Sequence, residues 1–173
     1  MLEILQYPDP RLKVIARQVE VFDNTVQKII DAMFLTHYNT KNCAALAATQ
    51  LDLERPNHIT VIDFSPEKNQ PLCLVNAKII ESSGKCTEEE GCMSVGGNIY
   101  EKITRSAKVK IRAQDRYGKL LEFKADGFMA RCIQHELDHL NGIIFLDYLS
   151  LRQRNRINKR LIANNLLSKS RII

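Results

Sequence analysis

The sequence predicts an α+β domain: short antiparallel strands packed around one central helix, with a further helix at the C-terminus. Three observations carry that expectation. Residues 126–142 place apolar side chains at helical spacing, from Phe128 and Met129 through Cys132 and Ile133 to Leu137 and Leu140, with Asp126 as N-cap and Gly142 as the stop. Residues 108–113 and 120–125 alternate around the turn Asp115-Arg116-Tyr117-Gly118, which reads as a hairpin. Residues 151–167 follow Ser150, a good cap, and run without a breaker.

In chain order, Asp9 and Pro10 open a short helical turn. Asp23 or Asn24 caps a helix to about Tyr38, whose stripe of Val26, Ile29, Ile30, Met33, Phe34 and His37 faces a core. His37 continues that stripe and reads as structural. Asn42-Cys43-Ala44-Ala45-Leu46-Ala47-Ala48-Thr49-Gln50 is a run of small side chains that lets a backbone come close to another element or a ligand, with an amide at its end. Residues 58–64 and 72–76 are strands, and residues 77–86 are extended with a turn at Ser82-Ser83-Gly84.

Chain length and composition narrow the class. With 173 residues, one domain is expected, long enough to bury a core without staples. No stretch reads as a leader or a membrane span, so a cytoplasmic protein without a membrane partner is expected. Five cysteines without a C-x-x-C pair read as free thiols in a reducing compartment. The net charge of +5 is uneven: no acidic residue follows Asp147, whereas Arg152, Arg154, Arg156, Lys159, Arg160, Lys169 and Arg171 do. We therefore read residues 1–150 as one unit and residues 151–173 as a basic C-terminal helix and tail of the same domain.

The chemistry is concentrated in Gln134-His135-Glu136-Leu137-Asp138-His139. Positions four apart share a helix face, so His135 and His139 can bind one metal ion, with Glu136 beside them as a proton carrier. A solvated polar face is the alternative, but the apolar side of the helix puts the pair where unpaired polar groups are costly. An open catalytic site needs a third protein ligand, and Cys92 in Glu90-Gly91-Cys92-Met93-Ser94 is the candidate.

Together, Glu90-Gly91-Cys92-Met93-Ser94 and the stretch from Gln134 to Gly142 resemble two motifs of the peptide deformylases. These metal hydrolases remove the formyl group from the N-terminal formylmethionine of new bacterial proteins. Leu46-Ala47-Ala48-Thr49-Gln50 resembles the family's first motif, but Cys43 and Ala45 stand where the family usually has glycines, and Gly96 where it usually has proline. A methyl group at Ala45 is expected to crowd the substrate or to forbid a positive φ.

The resemblance implies one divalent metal on Cys92, His135 and His139. Fe2+ is the ion it suggests, although Zn2+, Ni2+ or Co2+ also suit one thiolate and two imidazoles. It further implies Glu136 as acid and base, with Gln50 and the Met93 backbone N–H as donors to the developing oxyanion. A substrate pocket is expected from Ala44, Ala45, Leu46, Phe128 and Cys132. Arg131 shares the helix face of His135 and is expected either to wall that pocket or to pair with a structural carboxylate such as Glu90, and it is left outside the site. Implied partners are formyl-Met nascent peptides and ribosomal RNA, the latter met by the C-terminal helix. The competing functions are a noncatalytic, metal-containing relative that binds ribosomes or peptides, and a zinc endopeptidase.

Overall fold

A computed structural model describes residues 1–96 and 99–169, with side chains to residue 163. Lys169 and Arg171 of the basic tail therefore lie outside the described side chains. Helix α1 (Asn24–Asn39) starts where Asp23 accepts from the Thr25 and Val26 N–H groups, as its sequence predicts. The remaining elements are β1 (Ala45–Ala47), β2 (Ile59–Ile62), β3 (Leu72–Ser83), β4 (Cys86–Glu90), β5 (Glu101–Arg105), β6 (Lys108–Gln114), β7 (Leu120–Asp126), α2 (Gly127–Leu140) and α3 (Leu151–Lys169).

Strands β1-β2-β3-β6-β7 form one antiparallel sheet in that order, and β4-β5 form a separate antiparallel ribbon. Strand β2 is buried at all four positions because both of its faces are covered. Ile59 and Val61 meet Val26, Ile30 and Met33 of α1, whereas Ile62 joins Leu74, Val109 and Ile111 against Ile133, Leu137 and Leu140 of α2. Helix α2 thus sits in the middle of the molecule. A third apolar cluster joins Leu5, Cys92, Ile103, Phe145 and Ile157, tying the ribbon and α3 to the body.

Several local expectations change. Asp126 occupies the N-cap position of α2 but makes no capping hydrogen bond, and Gly127 takes φ +51 there. Phe128 is 55% exposed and meets Phe64 edge-on instead of joining the core. Strands β1, β4 and β5 lie in stretches whose sequence gives no strand pattern. Among the described residues, no helix is long and apolar enough to cross a membrane.

Candidate metal centre

Helix geometry and a strand end bring three ligands together. His135 and His139 lie one turn apart on α2, and Cys92 follows β4 at the entry to a 3-10 turn begun by Met93. Cys92 Sγ lies 3.2 Å from His139 Nε2, which lies 3.1 Å from His135 Nε2. The ligand atoms of all three fall within 4.8 Å of one another, and all three residues are buried. A thiolate and two imidazoles with no acid between them are a poor hydrogen-bonding cluster but a suitable donor set for one metal ion. The group fits.

The imidazoles are held for that role. His135 Nδ1 donates to Glu90 Oε1 at 2.6 Å, which leaves Nε2 facing the other ligands. Burial disfavours the imidazolium of His135, but hydrogen bonds with Cys92 and Glu90 outweigh it and raise its pKa well above the ordinary value. Burial, with the charges of His135 and Arg105 adding, pushes His139 well below its ordinary value and keeps it neutral. Its Nδ1 is buried without a hydrogen-bond partner among the described residues.

Glu90 is itself anchored. Arg105 donates to both of its oxygens at 2.8 and 2.7 Å and to Asp138 at 2.8 Å, and Tyr148 donates to the same Asp138 oxygen. Burial alone would raise the Glu90 carboxyl, but Arg105 and His135 hold it at about 2. Arg105 carries no local signal in the sequence, because its partners stand 15 and 33 positions away.

Glu136 is 3% exposed, and one of its oxygens has no partner among the described residues. Burial lifts its pKa to about 7, with His135 opposing and Glu90 adding to the rise. Gln50 is held by Ala47 N–H at 2.8 Å on Oε1, which directs its Nε2 to Ser94 Oγ at 3.2 Å and Cys92 Sγ at 3.5 Å. Met93 is the first residue of its 3-10 turn, a position whose N–H has no partner inside the turn.

These groups open into a cleft of about 260 Å³, lined among others by Ala44, Ala45, Gln50, Met93, Phe128, Cys132, His135 and Glu136. Leu46 departs from expectation: its side chain is fully buried with the α1 cluster, on the other face of β1. Arg131, read from sequence as outside the site, lines the cleft, as do Ile99 and Tyr100. Its pairing with Glu90 is loose, at 3.7 Å. A wider groove of about 790 Å³ behind α2, lined by Arg105, Asp138 and Tyr148, is reached by none of the three ligands.

The departures at Cys43, Ala45 and Gly96 are accommodated. Neither Ala45 nor Cys43 has a positive φ, so neither position requires glycine here. Cys43 turns away to His37 Nδ1 at 3.2 Å, and burial pushes its thiol up to about 12. Gly96 takes φ +71, a conformation closed to proline.

Cys92 from the turn after β4, meeting the two histidines of an H-E-x-x-H helix with a buried glutamate and an amide donor beside them, is the arrangement of a metal-dependent hydrolase. The polypeptide deformylase profile matches residues 1–155. The chain is 73% identical over 161 residues to peptide deformylase 1 of Coxiella burnetii, covering 93% of this chain and 95% of that one. It is 49% identical over 161 residues to a peptide deformylase of Chromobacterium violaceum, covering 93% and 94%. The crystal structure of a peptide deformylase from Legionella pneumophila superimposes with a TM-score of 0.89 at 39% identity, covering 96% of each chain. The chain belongs to the polypeptide deformylase family. The catalytic reading, not that of a noncatalytic relative, is the supported one.

Proposed function

We propose that this chain hydrolyses the formyl amide of N-terminal formylmethionine on nascent polypeptides, releasing formate and a free amine. Cys92, His135 and His139 would hold one divalent ion, and Fe2+ is our assignment, with Zn2+, Ni2+ and Co2+ chemically compatible. The observation that carries the proposal is Glu136, buried beside the cluster with one oxygen that has no partner among the described residues. A structural metal site needs no such group.

When bound, the ion supplies Lewis acidity to water and to the formyl oxygen. Glu136 then has two tasks at one position: it takes the proton of the attacking water and returns it to the leaving nitrogen. As the formyl carbon becomes tetrahedral, Gln50 Nε2 and the Met93 N–H donate to the oxygen that gains charge. Strand β1 is the edge of its sheet, so its outer main chain is available to pair with an extended peptide, while Ala44, Ala45, Phe128 and Cys132 receive the methionine side chain.

Residues 1–150 carry this chemistry, and 151–163 add a basic helix anchored by the buried Ile157. Arg152, Arg154, Arg156, Lys159 and Arg160 would meet ribosomal RNA phosphates in a cytoplasmic protein that acts on emerging chains. Salt-sensitive ribosome binding that survives truncation after Ser150 would remove that contact from the proposal.

The test is formate release from formyl-Met-Ala-Ser by protein loaded with Fe(II) without oxygen, beside Glu136→Gln. Turnover that needs both the metal and Glu136 supports the reading. Full turnover in Glu136→Gln removes that residue from the mechanism, and no turnover with one metal bound returns the noncatalytic alternative.

A further inference from the structure

We propose that Gln6 is a positioning residue for the oxyanion donors: it is the working side chain of a strap, residues 4–7, that holds Met93 and Gln50 at a fixed spacing. The proposal rests on the deformylase reading above. The two donors come from distant parts of the chain, Gln50 from a 3-10 turn after β1 and Met93 from the turn after β4. Residues 4–7 reach both. Ile4 forms a bridge with Leu51, and the Leu5 N–H donates to the Gln50 carbonyl at 2.8 Å. On the other side, Gln6 Nε2 donates to the Met93 carbonyl at 3.0 Å, and the Tyr7 N–H donates to the Ser94 carbonyl at 2.7 Å. Leu5 is buried in one cluster with Cys92 and Val95, so the strap also packs with the turn that carries a metal ligand.

Met93 opens its 3-10 turn, so the direction of its N–H follows the tilt of the turn as a whole. Within the turn the Val95 N–H closes on the Cys92 carbonyl, and the next carbonyl, that of Met93, is the one Gln6 takes. The partners of Gln6 Nε2 are both carbonyls, Met93 at 3.0 Å and Ile4 at 3.3 Å, which fixes the nitrogen end of the amide toward the turn. The contacts from Leu5 and Tyr7 are made by main chain, whereas Gln6 uses its side chain and is exposed, so its substitution opens no cavity in the core. A hydrogen bond that only stabilised the fold would leave the reaction of the folded protein unchanged. One that aims the Met93 N–H acts when the formyl oxygen gains charge, and therefore on kcat and not on KM.

The experiment measures kcat and KM for formyl-Met-Ala-Ser, per metal-loaded chain, in the wild type, Gln6→Leu and Gln6→Lys. Gln6→Leu should lower kcat about fivefold, the scale of one ordinary hydrogen bond, with KM within about twofold. Gln6→Lys, which keeps an N–H donor on a side chain of similar reach, should recover most of that loss. Gln6→Ser takes the place of Gln6→Leu if that variant does not fold. An unchanged kcat in Gln6→Leu, a change confined to KM, or equal losses in Gln6→Leu and Gln6→Lys overturns the proposal. Absence of formate from the wild type would instead strike the deformylase reading. Binding to the zinc-loaded proteins of the H-phosphonate analogue of formyl-Met-Ala-Ser, whose tetrahedral anion stands in for the hydrated formyl group, against N-acetylmethionine amide then still decides the role of Gln6. A loss in Gln6→Leu confined to the phosphonate supports it, and equal losses or none overturn it.

Discussion

Glu90 accepts the Nδ1 hydrogen of His135 at 2.6 Å while Arg105 grips both of its oxygens, so one buried arginine fixes the orientation of an imidazole it does not touch. Arg105 and Glu90 are 4% and 8% exposed at their side chains. Removing one member of a buried pair leaves the other charge uncompensated. Arg105→Met should therefore lower metal affinity about 10- to 100-fold, as loss of an outer-shell partner does. Competition with a chelator measures it, and unchanged affinity would mean that Glu90 holds His135 unaided.

Gln50 is positioned by its own backbone neighbourhood, with Ala47 N–H fixing Oε1 so that the amide hydrogens face Cys92 and Ser94. We expect Gln50→Leu to bind metal normally and to lose roughly a hundredfold in kcat, about 3 kcal/mol of transition-state stabilisation, with a smaller change in KM. A loss confined to KM would assign Gln50 to substrate binding instead.

Ala45 lies in β1, 6% exposed, with its methyl group among Ile62, Leu74 and Cys132. Because its φ is negative, glycine brings no conformational relief at this position. Ala45→Gly should leave KM for formyl-Met peptides within about twofold and destabilise the fold by about 0.5–1 kcal/mol through backbone entropy. A clear fall in KM would show that the methyl crowds the substrate, as the sequence suggests.

What was legible in the sequence follows from how local each signal is. His135, Glu136 and His139 are fixed by helical spacing, and α1 and α2 by their stripes and stops. Strand β1 is not legible, since alanine has little strand preference and its pairing with β2 decides the matter. That missing strand also explains Leu46: alternation along β1 turns its side chain toward α1, whereas its neighbour Ala45 faces the cleft. The link from Arg105 to Glu90 depends on the β4-β5 ribbon, which pairs Cys86 with Arg105 and Glu90 with Glu101, and no short-range pattern announces it.

Asp63 closes the far end of β2 and offers a test away from the metal. The residue is 3% exposed, and its carboxylate accepts from Tyr38 OH at 2.9 Å, Ser65 N at 3.0 Å, Ser65 Oγ at 2.6 Å and Gln70 N at 3.2 Å. Burial favours the neutral acid, but the hydrogen bonds from Ser65 and Tyr38, with Gln70 adding, outweigh it and lower the pKa from 3.8. A depressed carboxyl stabilises the fold above its unfolded pKa and ceases to do so as pH falls through the folded one. The stability advantage of wild type over Asp63→Asn should accordingly be constant above about pH 5 and shrink below about pH 4. Denaturant melts of both proteins across that range measure it. An advantage that stays constant into acid would mean that the hydrogen bonds serve the neutral carboxyl equally well, and that Asp63 contributes shape and not charge.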